Sequence, residues 1–361
     1  MGCLVSVIIP AFNCEKYIER CINGVLKASN VDFEVIVIND GSTDSTEAIV
    51  SQISQKNSRV KLYSWVNQGV SSARNKGIEL SSGKYIIFSD SDDVLEGNNL
   101  ESLLNYAQST QADVIAFGRI NHYPDGTKLS LLPNGDTSVV QNNYENAYRN
   151  TILNQQNYGW SSCNKLFKRD IIINNNLRFV DYKTVNSEDR LFNFGYFMNV
   201  SKVAFYDKCF FHNYVRSDSL SHQAYFPNVV NRNIKAYEYV CDYTNLLPDK
   251  VRFKLLKHYF ISFVNNVVVL ELSVNKVGFR KAGQSFNCVM EGMLSVLKNK
   301  GLSEPFKREK GIYYSDSGFK YKLLNQLLLN HKLFMLAKLI LFGYTKATDL
   351  ISVVKTKGKE K

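Results

Sequence analysis

Short apolar runs, each followed directly by polar residues, alternate with helical segments through the first 95 residues of this 361-residue chain. The runs are rich in β-branched or aromatic residues, which is typical of strands buried on both faces. Between the first two runs, the apolar residues of 17–26 fall on one face of a helix. Strands and helices that alternate across short loops predict an α/β fold with an open, mostly parallel sheet. The four runs lie at residues 5–9, 33–38, 60–65 and 84–88.

Punctuating residues predict where these elements begin and end. Pro10 is expected to stop the first strand, and Asn13 to cap the helix that follows. Asp44 with Glu47 three residues later matches a capping box that starts the second helix. A third helix is expected over residues 71–80.

The alternation of strands and helices weakens after about residue 105. The change in pattern along the chain predicts three regions. The first covers residues 1–105, and the second, with a further strand at 113–117, covers residues 106–225. The third, residues 226–361, is expected to be helical. The pattern shows no internal repeat and no low-complexity linker.

Much of the net charge of +11 lies in the last 42 residues, which contain nine lysines and only two acidic residues, Asp349 and Glu360. The leucine-rich stretch at 319–354 is interrupted by polar residues, so it is too broken for the roughly 20 apolar residues of a membrane-spanning helix. Two interpretations remain, an interfacial helix on anionic lipid and a pair of core-packing helices with a solvated lysine tail. Because no nucleic-acid-binding motif accompanies the charge, no nucleic-acid partner is expected.

The seven cysteines show neither paired spacing nor a metal-finger pattern, so we expect buried free thiols. The N-terminus lacks the basic flank and cleavage site of a secretory signal. Both features favour a reducing, cytoplasmic location for the N-terminal part.

Polar clusters follow three of the predicted strands, at residues 10–13, 39–44 and 90–93. Ligands collect at the carboxyl ends of strands in open α/β sheets, so these clusters should converge. Asp40 is placed where a carboxylate could accept the N3–H of a uracil ring, which suggests a base-and-ribose pocket. The alternative for residues 40–44 is a turn and a helix cap alone.

The cluster Asp90-Ser-Asp-Asp93 places three carboxylates within four residues at a strand end. Such carboxylates repel one another unless a cation or many hydrogen-bond donors are present. Oxygen ligands suit Mg²⁺ or Mn²⁺, which commonly bridge carboxylates to diphosphate oxygens. A solvated turn or the start of a helix is the alternative.

Four blocks in order and spacing make the first 95 residues resemble family 2 glycosyltransferases, which have the GT-A fold. Phe12 replaces the tyrosine of the family's opening block, and Asn39 replaces the first aspartate of the second. The blocks are Val5-Ser-Val-Ile-Ile-Pro-Ala-Phe-Asn13, Glu34-Val-Ile-Val-Ile-Asn-Asp-Gly-Ser-Thr-Asp44, the stretch Asn67-Gln-Gly69 with Ser72-Ala-Arg-Asn75, Gly77 and Gly83, and Asp90-Ser-Asp-Asp93.

The resemblance implies a nucleotide diphosphate-sugar donor held by the first region, with UDP the best guess for the nucleotide. Asp40 and Arg74 would contact the base, Asp90 or Asp92 the ribose, and Asp92 or Asp93 the Mn²⁺ or Mg²⁺ ion. The other donor-binding candidates are Pro10, Phe12, Asn13, Asp44 and Ser91.

A further segment, Asn186-Ser-Glu-Asp-Arg-Leu-Phe192, is similar to the family's "EDxxF" helix start near the acceptor site. An inverting transfer needs one carboxylate to take the proton from the acceptor hydroxyl, and Asp189 is the candidate base, with Glu188 the next. The alternative is an ordinary acidic helix start.

Two more segments extend this resemblance, the first of them to capsule and exopolysaccharide members of the family. Trp160, in Trp160-Ser-Ser-Cys-Asn-Lys-Leu-Phe-Lys168, would stack on an acceptor sugar or else pack in the core. His212 replaces a tyrosine in a segment that includes Ser217, Ser219 and Ser221, where it would be a further metal ligand or a structural histidine.

The sequence therefore predicts a metal-dependent, inverting glycosyltransferase of cell-surface polysaccharide biosynthesis, peripheral at the inner face of the membrane. Its acceptor would be a saccharide or a lipid-linked saccharide. A non-catalytic nucleotide-sugar- or carbohydrate-binding protein on the same fold is the alternative. A Rossmann oxidoreductase is excluded because the turn after the first strand lacks GxGxxG.

Overall fold

The computed structural model describes residues 4–133, 140–141, 161–185, 187–216, 229–245, 247–249, 251–252, 255–256 and 259. The chain divides into two compact units, Met1–Ser219 and Leu220–Lys361. Trp160 and the basic tail at 320–361, on which predictions were made above, lie outside the described residues. So does most of the predicted helical region after residue 226.

The first unit contains ten strands, six α-helices and one 3-10 helix, Gly97–Asn99, among its described residues. The strands are β1 Val5–Ala11, β2 Phe33–Asn39, β3 Val60–Ser64, β4 Tyr85–Phe88, β5 Val94–Leu95, β6 Val114–His122, β7 Lys128–Leu131, β8 Val140–Gln141, β9 Lys165–Lys168 and β10 Lys202–Tyr214. The helices are α1 Ile18–Leu26, α2 Thr46–Lys56, α3 Val70–Leu80, α4 Leu100–Thr110, α5 Arg169–Asn174 and α6 Glu188–Phe197; in the second unit the structure describes α7, Val229–Tyr243.

The ten strands form one sheet, ordered β3-β2-β1-β4-β9-β6-β10-β5, with β7 paired to β6 and β8 to β10. Strands β1 to β4 are parallel to one another, as the sequence predicts. Strand β9 then joins antiparallel to both β4 and β6. The predicted α/β fold is confirmed, and the sheet is parallel in its N-terminal part and mixed beyond β4.

Two predicted boundaries are wrong. Strand β1 continues through Pro10, which is in register with Ile38 of β2. Because β4 pairs with β1 only as far as Ile8, the missing N–H of Pro10 interrupts no ladder on that side. Asn13 caps no helix, since α1 begins at Ile18.

The second helix begins at Thr46 with Ser45 at its N-cap position, so Asp44 and Glu47 do not form the predicted capping box. Asp44 Oδ1 accepts the N–H of Thr46 at 3.0 Å. Glu47 instead accepts hydrogen bonds from Asn39 Nδ2 at 3.0 Å and from Ser64 Oγ at 2.9 Å. Its carboxylate therefore ties α2 to the ends of β2 and β3.

Aromatic packing fixes the start of α6 against the end of β4. The ring of Phe88, the last residue of β4, packs edge-on against Phe167 of β9 and Phe192 of α6, with ring centroids 5.8 and 5.7 Å apart. Phe179 stacks on Phe192 at 4.0 Å. Since Asp90 follows Phe88 and Asp189 precedes Phe192, this buried cluster sets the separation of the two acidic segments.

The five cysteines that the structure describes carry free thiols, as predicted, but only three of them are buried: Cys14, Cys21 and Cys163, whereas Cys209 and Cys241 are half-buried. Within the described ranges, no helix has the length and apolar character needed to cross a bilayer.

Candidate donor and catalytic site

The polar clusters that follow β1 and β2 are hydrogen-bonded to each other. Asn13, whose φ of 47° lies in the left-handed region, accepts the N–H of Thr43 through Oδ1 at 2.8 Å. Its own N–H donates to Ser42 Oγ at 3.0 Å. The predicted convergence is therefore observed for these two of the three clusters, and Phe12 beside them is 48% exposed.

Asp40 is buried after β2 and holds the loop that leads into α3. Its two carboxylate oxygens accept the N–H groups of Gln68 at 2.9 Å and Gly69 at 2.7 Å. Gly69 has φ of 95°, which a side chain would strain. A carboxylate at a helix N-terminus is stabilised by the helix dipole. Asp40 thus positions α3, and its predicted contact with the nucleotide base stays a prediction.

Arg74 of α3 lies buried between the two acidic segments. Its Nη2 donates to Asp90 Oδ1 at 2.9 Å, and its Nη1 donates to Asp189 Oδ1 at 2.7 Å and Glu188 Oε1 at 3.2 Å. Burial alone would lower the pKa of Arg74, but the charges of these three carboxylates raise it well above its ordinary value. The guanidinium is therefore a fixed cation that joins the cluster after β4 to the start of α6.

The start of α6 presents Glu188 and Asp189 in its first turn, directly after Ser187 with φ of 63°. Asp189 Oδ2 accepts two hydrogen bonds from Ser162, one from its N–H at 3.0 Å and one from its Oγ at 3.2 Å. Burial and the neighbouring charge of Asp189 raise the pKa of Glu188. The two carboxylates thus differ, since hydrogen bonds hold both oxygens of Asp189.

Asp92 and Asp93 lie in different surroundings. Asp92 Oδ2 is 2.5 Å from Arg216 Nη2, and Arg20 Nη2 donates to the Asp92 carbonyl at 2.8 Å. Burial and the charge of Asp90 raise the pKa of Asp92. These contacts place two arginines around Asp92.

Asp93 is buried against β10. Its oxygens accept the N–H of Tyr214 at 2.9 Å and Nδ2 of Asn213 at 3.0 Å. Burial, together with the charges of Asp90 and Asp92, raises the pKa of Asp93 to about 8. Asp93 therefore ties the acidic turn to the sheet, while its predicted role as a metal ligand stays a prediction.

His212 of β10 uses both ring nitrogens in contacts with side chains. Its Nε2 is 2.7 Å from Glu96 Oε1, and its Nδ1 is 2.8 Å from Nε2 of His122. Over the residues that the structure describes, no group of three or more His, Cys, Asp or Glu side chains is arranged to hold a metal ion. The metal-ligand prediction for His212 accordingly remains a prediction.

Several residues of this site were not singled out from the sequence. Ser162 lies in the segment compared with capsule enzymes, where only Trp160 was considered, while Arg20 and Arg216 carried no motif of their own. Ser91, by contrast, is a predicted donor-binding residue, and it lies partly buried in the turn after β4. A cluster of carboxylates needs nearby positive charge, and this requirement is the sequence signal that indicates arginines such as Arg20 and Arg216.

Comparisons with known proteins place this geometry in context. The family model for Glycosyl transferase family 2 matches residues 6–174. The chain is 28% identical over 235 residues to the uncharacterized glycosyltransferase EpsJ of Bacillus subtilis, covering 65% of this chain and 68% of that protein. It is 29% identical over 321 residues to the cholesterol galactosyltransferase of Borreliella burgdorferi, covering 83% and 84%.

Among solved structures, S. aureus TarS 1–349 in complex with UDP-GlcNAc superimposes with a TM-score of 0.70 at 19% identity. The match covers 95% of this chain and 92% of that chain. The GT-A fold expected from the sequence is thereby confirmed.

Proposed function

We propose that this chain, which belongs to glycosyl transferase family 2 through residues 6–174, transfers a sugar from a nucleotide diphosphate-sugar to an acceptor hydroxyl with inversion at the anomeric carbon. One observation carries the proposal: the guanidinium group of Arg74 pairs with both Asp90 of the acidic turn and Asp189 of α6. Donor and acceptor must meet in one place for a single displacement, and this contact brings the two sets of residues together.

UDP is the nucleotide to test first. The S. aureus TarS structure contains UDP-GlcNAc, which supports this choice, and the exposed ring of Phe12 offers a face on which a base could stack. Pro10, Asn13, Asp40, Asp44 and Ser91 are proposed to complete the donor pocket. Residues 1–105 would supply the donor half of the site and residues 106–225 the acceptor half.

The acidic turn supplies two carboxylates that could hold a divalent cation. The sequence predicts Asp92 or Asp93 as the ligand; because both oxygens of Asp93 accept hydrogen bonds from β10, we propose that Asp92 holds Mn²⁺ or Mg²⁺ together with Asp90, whose side chain is 40% exposed. Such ions commonly use one or two carboxylates together with substrate phosphates. Burial and the charge of Asp90 raise the pKa of Asp92, and a cation beside the two carboxylates would reduce their mutual repulsion. When bound, the ion would stabilise the negative charge that develops on the leaving diphosphate.

Asp189 is proposed as the general base. A base has to be held where the acceptor hydroxyl attacks, and Arg74 and Ser162 fix both carboxylate oxygens while the side chain stays 18% exposed. Glu188 is the second candidate, because its pKa is raised and no described residue donates a hydrogen bond to its Oε2. The mechanism is a single displacement, so no covalent nucleophile is required.

The proposed acceptor is a saccharide or a lipid-linked saccharide, with Trp160 stacking on the sugar. The name of the Borreliella burgdorferi relative supports an acceptor of lipid character. The nine lysines of residues 320–361 would hold the enzyme at the inner face of an anionic membrane. Sedimentation of the full chain with acidic liposomes at low salt tests that location, and indifference to such liposomes contradicts it.

A panel of nucleotide sugars, incubated with Mn²⁺ or Mg²⁺ and with saccharide acceptors, tests the proposed function. We expect one donor to release its nucleoside diphosphate, release to stop on chelation of the metal, and the product to carry the opposite anomeric configuration. Tight donor binding without release for any acceptor would favour a non-catalytic nucleotide-sugar-binding protein.

A further inference from the structure

Lys165 is a fully buried lysine at the start of β9, with no exposed surface. It is in register with Ala116 of β6. Alternate residues of a strand share a face, so Lys165 lies on the same side of the sheet as Phe167. The Phe167 ring packs against Phe192 and Tyr196 of α6, at 5.7 and 4.8 Å. Lys165 therefore begins its strand on the face that α6 covers.

The ammonium group of Lys165 closes the turn that precedes β9. Its Nζ donates to the carbonyl oxygen of Ser161 at 2.6 Å and to Oδ1 of Asn164 at 3.0 Å. Asn164 is itself fixed to β6, because its carbonyl accepts the N–H of Phe117 at 3.1 Å. The turn is thus held at one end by the sheet and at the other by the lysine.

One peptide group links Lys165 to Asp189. The carbonyl oxygen of Ser161, which accepts the hydrogen bond from Lys165, belongs to the same planar peptide as the N–H of Ser162. That N–H donates to Asp189 Oδ2 at 3.0 Å. Hydrogen bonds in such a chain polarise and strengthen one another.

We propose that Lys165 is a positioning residue for transfer, which sets the orientation of the 161–162 peptide and through it the carboxylate of Asp189. This inference rests on the proposed function, in which Asp189 is the base. Without the ammonium group, the peptide loses its fixed partner and can rotate its N–H away from Asp189. The carboxylate would then keep its contact with Arg74 but lose its orientation toward the acceptor.

The cost of burying this lysine supports the inference. An ammonium group in an apolar interior is expensive unless it is hydrogen-bonded, and an apolar residue would fill the same space without that cost. Burial lowers the pKa of Lys165 to about 7, although the charge of Asp189 opposes the shift.

The test compares Lys165→Met with Lys168→Met in the full chain. Lys168 lies in the same strand, but its Nζ reaches Asp113 Oδ1 at 3.3 Å and its side chain is 36% exposed. We expect Lys165→Met to lower kcat for transfer by about 10- to 100-fold, the loss typical of a misplaced reacting group. The acceptor KM and the calorimetric donor affinity should stay at wild-type values, as should all three quantities in Lys168→Met.

The same substitution in an Asp189→Asn background separates positioning from general damage. If Lys165 acts through Asp189, Lys165→Met should lower kcat no further there. An equal loss in both backgrounds, or wild-type kcat in Lys165→Met, overturns the positioning role and leaves the proposed base intact. Full transfer by Asp189→Asn alone would overturn the proposed base and this inference together.

A second variant covers the case in which Lys165→Met does not fold, as judged by loss of donor binding. Lys165→Gln keeps an N–H donor without the charge. We expect its kcat to fall by less than the loss of about 10- to 100-fold expected for Lys165→Met, with donor affinity unchanged. Equal kcat in Lys165→Gln and Lys168→Gln would overturn the inference.

Discussion

Arg74 Nη1 lies 2.7 Å from Asp189 Oδ1, across 115 positions of the chain, and the same guanidinium holds Asp90. Arg74 is on α3, whose start is fixed by Asp40. Through this contact, the orientation of the α6 carboxylates depends on the position of α3 and of the loop that Asp40 holds. Binding of a donor near Asp90 would therefore act directly on the residues proposed to activate the acceptor.

Arg74→Met should destabilise the protein, because it leaves Asp90, Glu188 and Asp189 without their shared cation. Breaking a buried ion pair by removing one partner typically costs about 3–5 kcal/mol. Urea unfolding measures the loss. Lys76→Met on the same helix is the matched control, since Lys76 pairs with Glu79 at the surface and such pairs contribute at most about 1 kcal/mol. Equal stability of the two variants would contradict a central electrostatic role for Arg74.

Asp92→Asn and Asp93→Asn should separate metal binding from sheet anchoring. Asp92→Asn should lower Mn²⁺-dependent donor affinity by at least about 10- to 100-fold, a loss seen even for residues that only support ligands. Asp93→Asn should keep that affinity and lower the melting temperature, because its carboxylate accepts hydrogen bonds from Tyr214 and Asn213. Calorimetry with and without Mn²⁺ measures the first effect. Loss of affinity in Asp93→Asn with an unchanged melting temperature would instead support the sequence prediction that Asp93 is a metal ligand.

Glu34 should make the folded protein sensitive to acid. Burial alone would raise its pKa, but hydrogen bonds from Lys61, Ser6 and Ser82 lower the pKa to about 2. Because the folded-state pKa lies below the unfolded value of 4.5, the stabilisation is complete above about pH 4.5 and is lost as pH falls toward 2. At 1.36 kcal/mol for each pKa unit, the full effect is about 3 kcal/mol.

Urea unfolding between pH 5 and pH 3 checks this prediction. Glu34→Gln should be less stable at pH 5 and should lose less stability on acidification than the wild type. Glu79→Gln, in an exposed pair with Lys76, should follow the wild-type profile. A wild-type pH profile in Glu34→Gln would show that Glu34 does not carry the effect.

The parallel part of the fold could be predicted from sequence because β1, β2 and β4 are mostly apolar and the helix between β1 and β2 has one apolar face. Strand β3, at the edge of the sheet, is less apolar and contains Lys61. Strand β9 could not be predicted, since Lys165–Lys168 begins and ends with lysine and has no alternating pattern. Its partners are fixed by packing: Phe167 fits between Phe88 and Tyr196. Only the folded chain shows that a lysine at this position is buried.

The candidate site was predictable as a set of residues and not as a set of contacts. Asp90 could be selected because three carboxylates within four residues repel one another unless a cation or many hydrogen-bond donors are present. Arg74 and Asp189 could be selected because their segments resemble family motifs. Their mutual contact depends on how α6 packs on β4, which no local pattern encodes. The hydrogen bonds that occupy both ring nitrogens of His212 likewise depend on the pairing of β10 with β5 and β6.

The most direct test of the account measures transfer by Asp189→Asn against Glu188→Gln on one preparation of each. Each substitution removes one carboxylate that pairs with Arg74, so both change the formal charge of the cluster by the same amount. With Asp189 as the base, Asp189→Asn should lower the transfer rate by about 10²- to 10⁴-fold while donor affinity is retained, and Glu188→Gln should keep most of the rate. A transfer rate above roughly a tenth of wild type in Asp189→Asn would contradict the account, and loss of transfer in Glu188→Gln alone would assign the base to Glu188.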